Sequence, residues 1–148
     1  MKILISLLFA LSMASAFGDD DATIRPSWSG SWYNPDQSGH GINVEVLDDE
    51  RTVIYWYTYD QDGNPFWLAA LGSSSLAEGW WSKSNYWFEN VRVEATAYYH
   101  EGMVFGEFDP ATNDKQEWGT IILDFHYMFC DFAHMEWYPV MDGFSQGS

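Results

Sequence analysis

Apolar and polar residues alternate along most of this chain. Ile42, Val44 and Val46 alternate with Asn43, Glu45 and Leu47. A period of two with one polar face predicts a half-buried strand over 42–46. Residues 52–59 are rich in β-branched and aromatic side chains, which favour a pleated, packed surface. Val53, Tyr55, Tyr57 and Tyr59 fall on one face of that segment, and Ile54, Trp56 and Thr58 on the other. Both faces are largely apolar, so this strand belongs in the middle of a sheet. Asp60-Gln61-Asp62-Gly63-Asn64-Pro65 reads as a hairpin loop with Asp-Gly at its centre. Residues 66–71 are the return strand, with Pro65 at its start, where a missing donor is tolerated. Gly72-Ser73-Ser74-Ser75 is expected to break the chain. Further strands are expected over 80–88, 91–99, 103–108, 118–125 and 134–140. No segment carries a sustained helical period with a cap. The pattern predicts a single all-β antiparallel domain, a small β-barrel or a β-sandwich.

Ahead of the strands lies a different kind of sequence. Lys2 is followed by an apolar run over 3–13 and by Ala14-Ser15-Ala16, the form of a signal peptide with its cleavage site. The run is shorter than the roughly 20 apolar residues that a spanning helix needs. Residues 1–16 therefore read as a signal peptide, 17–27 as an acidic flexible leader, and 28–148 as the domain. The expected location is secreted or periplasmic. A formal net charge of −16 repels nucleic acid and anionic membrane surfaces. It fits solubility outside the cell, or more sharply a cationic partner or a metal ion. Cys130 is the single cysteine and cannot close an internal disulfide. It is expected to be a buried free thiol, with an intermolecular disulfide or a reactive thiol as alternatives. Stability must come from the core, for which nine Trp, nine Tyr and ten Phe are available, each able to bury about 150–250 Å².

Chemistry is harder to find. Asp60-x-Asp62-Gly63-Asn64 has the oxygens of a calcium loop, but Gly63 comes too early and Pro65 follows at once. His126 and His134, with Asp124 and Glu136 alongside, lack the tight spacing of a zinc site. Ser38-Gly39-His40-Gly41 sets a serine beside a histidine, but adjacent turn residues rarely adopt a triad. Glu45, Glu89, Glu94, Glu107 and Glu117 lie in or near strands, so a paired-carboxylate hydrolase stays open. No catalytic set, metal set or cofactor is assigned. The aromatic residues are the most suggestive feature. The turn from Trp32 to Gly41 is dense in Gly, Pro, Asn and Ser, and Gly39 and Gly41 around His40 imply left-handed backbone or a close approach. Candidate ligand-binding residues are Trp32, Tyr33, Asn34 and His40 in that turn, with Trp56, Trp67, Trp80 and Trp81. Neighbours on a strand face opposite ways, so one of Trp80 and Trp81 is expected to be exposed.

Gly30-x-Trp32-Tyr33-Asn34-Pro35-x-x-Ser38-Gly39-x-Gly41 and Trp56-Tyr57-Thr58-Tyr59-Asp60-x-x-Gly63-x-Pro65-x-Trp67-Leu68 together resemble an uncharacterised domain of secreted bacterial proteins, common in gammaproteobacteria. Phe105-Gly106-x-Phe108-Asp109-Pro110 and Trp118-Gly119-Thr120 continue the resemblance, which implies export and an all-β domain and no assigned activity. Gly30-Ser31-Trp32-Tyr33-Asn34 is also similar to the opening strand of the calycin barrels. The functions expected are a non-catalytic binding or adhesion module for carbohydrate or protein at the cell envelope, a calycin-like small-ligand carrier with Trp32, Trp56 and Trp67 around its interior, or a hydrolase.

Overall fold

In a computed structural model the described residues are 24–78, 89–107, 109–126 and 130–148. They form one seven-stranded antiparallel sheet in simple sequential order, curled into a half-barrel. The strands are β1 (Gly30–Trp32), β2 (Gly41–Val46), β3 (Arg51–Tyr59), β4 (Pro65–Glu78), β5 (Glu89–Glu101), β6 (Asp114–His126) and β7 (Ala133–Pro139). A short 3-10 turn, Pro26–Trp28, precedes β1. All seven strands of the described residues belong to this one sheet.

Alternation along the strands decides what goes inside. Ile42 and Val44 of β2, Ile54 and Trp56 of β3, and Leu68 and Ala70 of β4 are buried, as are Val91, Val93, Ala95 and Ala97 of β5 and Ile121, Leu123 and Phe125 of β6. The inner positions of β4 and β5 are partly small residues, and large rings from the other strands fill the space they leave. Two ring clusters result. Trp28 stacks on Phe125 at 4.9 Å and 9°, and Trp32 meets the same ring edge-on at 5.5 Å. Nearer the start of β6, a relay of rings runs Tyr99, Phe66, Phe144, Trp118, Trp56, Trp137, each pair 5.2–5.6 Å apart. Ile24 also lies in the core, so packing reaches back into the segment read as a leader.

Register explains how the sheet curls. The β5–β6 ladder slips at Ala97/Tyr98, where Ala97 faces Gly119 but Tyr98 faces Glu117. Trp118 is the extra residue of this bulge and is buried against Trp56 and Phe144. A bulge bends its strand and increases the local twist, here beside β7.

Three expectations change. Gly72-Ser73-Ser74-Ser75 does not end a strand; β4 runs through it, paired residue by residue with Ala95–Arg92. A Cβ on Gly72 would overlap the Glu94 carbonyl and the Ala95 side chain, so the small residue permits the close pairing that overrides its weak strand propensity. Of the segment expected over 103–108, the described residues 103–107 form a turn closed by one bridge, Val104 to Glu107, with Phe105 97% exposed. Cys130 is exposed rather than buried, because it lies in the connection between β6 and β7 rather than on an inward strand position. The expected strand over 80–88 lies outside the described residues.

The loop after β3 is a hairpin held by its own aspartate. Asp60 Oδ1 accepts the backbone N–H of Asp62 at 2.9 Å and of Asn64 at 2.8 Å, and Oδ2 accepts from Asn64 Nδ2 at 2.9 Å. The carboxylate oxygens that suggested calcium are thus turned into the loop. The side-chain and then the backbone hydrogen bonds from Asn64 hold the Asp60 carboxyl below its ordinary value. A depressed carboxyl stabilises the fold above its unfolded pKa, near 4, and that stabilisation is lost as pH falls through the folded value. Asp60→Asn is therefore expected to leave a shallower acid limb in stability measured by urea unfolding from pH 5 to pH 2.

Candidate functional site: the seam groove

A sheet that curls without closing leaves its first and last strands facing one another. Here β1 pairs only with β2 and β7 only with β6 among the named strands. Between them lies a groove of about 390 Å³. Its floor is Ile42 and Leu123, both inner-face residues. Its walls are Trp32 and Tyr33 on one side and Phe132, Met135 and Trp137 on the other. Asn34, Gln37, His40, Asp131 and His134 add polar groups.

The Trp32–Gly41 turn builds one rim. Asn34 Oδ1 accepts the Asp36 N–H at 2.9 Å, and the Asn34 carbonyl accepts the Gln37 N–H at 3.0 Å. This Asx turn spends the Asn34 carbonyl oxygen on the loop itself. Gly39 takes a left-handed φ of +102°, and a Cβ on Gly41 would sit 3.0 Å from the Trp32 carbonyl. Both properties anticipated for this pair are thus present. Tyr33 projects from the turn and is 77% exposed. It lies beside Trp32, whose indole N–H donates to the Trp28 carbonyl at 3.0 Å.

His40 couples the rim to the core. The Trp56 indole N–H donates to His40 Nδ1 at 3.2 Å, so Nδ1 is the acceptor and Nε2 carries the proton. Nε2 then donates to Gln37 Oε1 at 3.0 Å. Removing the imidazole leaves the Trp56 N–H unpaired in a mostly buried position, which costs about 1–3 kcal/mol. His40→Ala is expected to lower the unfolding free energy by that amount in urea titrations, and His40→Gln, which retains an acceptor, by less.

The opposite wall belongs to β7 and the C-terminal segment. The Trp137 indole N–H donates to the Ser145 carbonyl at 3.0 Å. Trp137 N–H donates to the Gly147 carbonyl at 3.0 Å, and Gly147 N–H returns the bond at 3.2 Å. Ser148 reaches the groove lining.

On the outer surface beside this wall, Arg92 grips Asp124 with two bonds of 2.8 and 2.7 Å. Those bonds raise the Arg92 pKa further above its ordinary value. Next to it Glu136 accepts from Tyr138 at 2.9 Å and meets His134 Nε2 at 3.3 Å. Its carboxylate pushes the Tyr138 pKa up. The quartet considered for zinc, Asp124, His126, His134 and Glu136, is engaged in these contacts at least in part. Among the described residues no three His, Cys, Asp or Glu side chains gather as metal ligands would.

The candidate residues therefore separate. Trp32, Tyr33, Asn34 and His40 line one groove. Trp56 stands behind them, buried, with its N–H on His40. Trp67 points to the outer face, 50% exposed, opposite Tyr57. Trp32, Trp56 and Trp67 therefore do not surround one interior. Trp80 and Trp81 lie outside the described residues. Phe132, Met135, Trp137, Gln37 and Asp131 were not anticipated. For Trp137 the signal was present, as an aromatic on an expected strand; for the others alternation offers none.

Set against protein-family models, curated proteins and solved structures, the chain matches none of them.

Proposed function

We propose that this chain is an exported, non-catalytic binding module that holds a carbohydrate or polypeptide of the cell envelope in the seam groove. One observation carries the reading: Trp32, Tyr33, Phe132 and Trp137 flank an open groove whose polar groups include amides and imidazoles. Apolar walls with a few placed polar groups are the usual composition of a binding site. Aromatic side chains supply large contact area at low entropic cost. Export rests on the signal-like leader. The acidity of the chain and the secreted-domain motifs agree with it.

A calycin-like carrier of a small ligand is the second reading. The inner-face floor of Ile42 and Leu123 favours it, and so does a volume within the range of small-molecule sites, about 300–1,000 Å³.

Tyr33→Ala tests the groove. Tyr33 is largely solvent-exposed, so its loss leaves the fold standing. Affinity for the envelope polymer that binds the intact chain is expected to fall at least about tenfold, or ~1.4 kcal/mol. Unchanged affinity in Tyr33→Ala, with loss in Trp67→Ala, would move the site to the outer face and end this reading.

A further inference from the structure

We infer that the ligand is a neutral oligosaccharide whose chain leaves the groove at Tyr33 and crosses the outer face of the sheet over Tyr57 and Trp67. The inference rests on the groove reading through Tyr33, and it names the ligand class and its path. Trp32 faces Ile42 across β1 and β2 and meets Phe125 on the inner side. Successive side chains point to opposite faces, so Tyr33 turns outward, beside Gly41. A Cβ on Gly41 would lie 3.6 Å from the Tyr33 Cβ. Gly41 in turn faces Tyr57, and Tyr57 faces Trp67. These four positions form one row across the sheet, roughly 14 Å long at about 4.8 Å per strand. Gly41 puts no side chain into the row, which leaves a gap between two phenol rings.

The outer face carries no charge along this path. The chain has 22 Asp and Glu and six Lys and Arg. Yet the outward positions of β3 from Val53 to Tyr59 and of β4 from Pro65 to Leu71 hold none of them. Tyr57, Tyr59 and Trp67 stand exposed there instead. Large apolar groups gathered on a surface mark an interaction site. Among the described residues, the Tyr33 and Tyr57 phenols and the Trp67 indole N–H make no hydrogen bond, so each can meet a hydroxyl.

Those properties select a sugar. A pyranose with equatorial substituents offers a C–H face to an aromatic ring and hydroxyls at its edge. Tyr and Trp match it with an apolar body and a polar tip. An anionic glycan meets the repulsion of the whole chain. A polypeptide added as a strand would need unpaired backbone groups, and β3 and β4 are each paired along both edges. A second copy would need more surface. The exposed parts of Tyr33, Tyr57, Tyr59 and Trp67 come to roughly 350–580 Å², at about 150–250 Å² per aromatic side chain. A standard protein interface takes about 800 Å² from each partner.

The test uses the full chain labelled with 5-fluorotryptophan and three probes: chitotetraose, chitobiose and tetragalacturonate. Chitotetraose is expected to bind and to shift the Trp67 resonance, leaving those of Trp28 and Trp118 in place. Chitobiose, too short to span the row, and the anionic tetragalacturonate are each expected to bind at least about tenfold more weakly in titration calorimetry. Tyr33→Ala and Trp67→Thr are each expected to weaken chitotetraose binding about tenfold. Threonine keeps the strand propensity of position 67, and an unchanged urea midpoint checks that the variant folds.

Loss in Tyr33→Ala with Trp67→Thr unchanged overturns the outer path and leaves the groove reading in place. Loss in Trp67→Thr with Tyr33→Ala unchanged overturns both. Tetragalacturonate binding as tightly as chitotetraose overturns the neutral class. No binding of chitotetraose overturns the sugar assignment and leaves the groove to a polypeptide. Self-association that shifts Trp67 without sugar also overturns the inference, in favour of a second copy.

Discussion

Replacing Trp118 by alanine is expected to cost about 3–5 kcal/mol of stability, the range for deleting a large buried aromatic. Trp118 is 2% exposed and touches both Trp56 and Phe144, so it joins β3 to the C-terminal segment through the interior. Its indole N–H has no hydrogen-bond partner among the described residues, so the loss is one of packing and contact area. Trp118→Phe, which keeps a ring and deletes that unpaired donor, is expected to cost markedly less than Trp118→Ala. The check is a pair of urea unfolding curves read as midpoint shifts at constant slope. Equal losses for the two variants would mean that a phenyl ring recovers none of the indole's packing, and would contradict this account.

The second large effect lies one residue along. Gly119 has φ of +150°, and a Cβ there would overlap the Tyr138 carbonyl and stand 2.7 Å from Pro139 Cα. These are backbone atoms of β7 and cannot swing away like a side chain. Gly119→Ala combines a disfavoured φ with overpacking between two paired strands, and is expected to cost about 3 kcal/mol or more. Because β7 must move off β6, the groove wall of Met135 and Trp137 moves with it, and groove binding is expected to fall as well. Gly63→Ala is the control. It shares a positive φ of +82° but has nothing within 4 Å of the new Cβ, so it is expected to cost only about 1 kcal/mol. Thermal or urea unfolding of the two variants separates crowding from backbone strain.

Much of the fold was readable because the alternation is strict where one face is buried. The segments over 42–46 and 52–59 became β2 and β3 within a residue at each end. The inward row of β3 is the one holding Ile54 and Trp56. Where both faces are apolar, alternation cannot say which one turns inward. Residues 66–71 are such a case: Phe66, Leu68 and Ala70 alternate with Trp67, Ala69 and Leu71. Pairing decides it, since Trp56 faces Leu68 on the inner side and Tyr57 faces Trp67 on the outer. The calycin-like alternative needs Trp67 in the interior, and it lies outside. The continuation of β4 through its serines was hidden for a related reason. Strand propensity is local, whereas the pairing that keeps these residues extended comes from β5.

Half of the groove was legible and half was not. Trp32, Tyr33, Asn34 and His40 form one compact motif, and a dense turn between apolar runs is visible in one dimension. The facing wall is assembled from the approach to β7 and the end of the chain, brought near β1 only by the curl of seven strands. Phe132, Met135 and Ser148 have no local pattern linking them to residue 32. Strand pairing hides contacts in the same way: Arg92 and Asp124 are joined by the β5–β6 register, which spacing along the chain does not show.

The central claim is that the sheet curls around buried indoles and keeps other aromatic side chains for its surfaces. Fluorine NMR of the chain labelled with 5-fluorotryptophan, with a soluble paramagnetic probe added, measures this directly. Single Trp→Phe variants assign the resonances. The account predicts strong broadening for Trp67 and little for Trp28, Trp56 and Trp118, with Trp32 between them. Broadening of Trp28 or Trp118 as strong as that of Trp67 would contradict it.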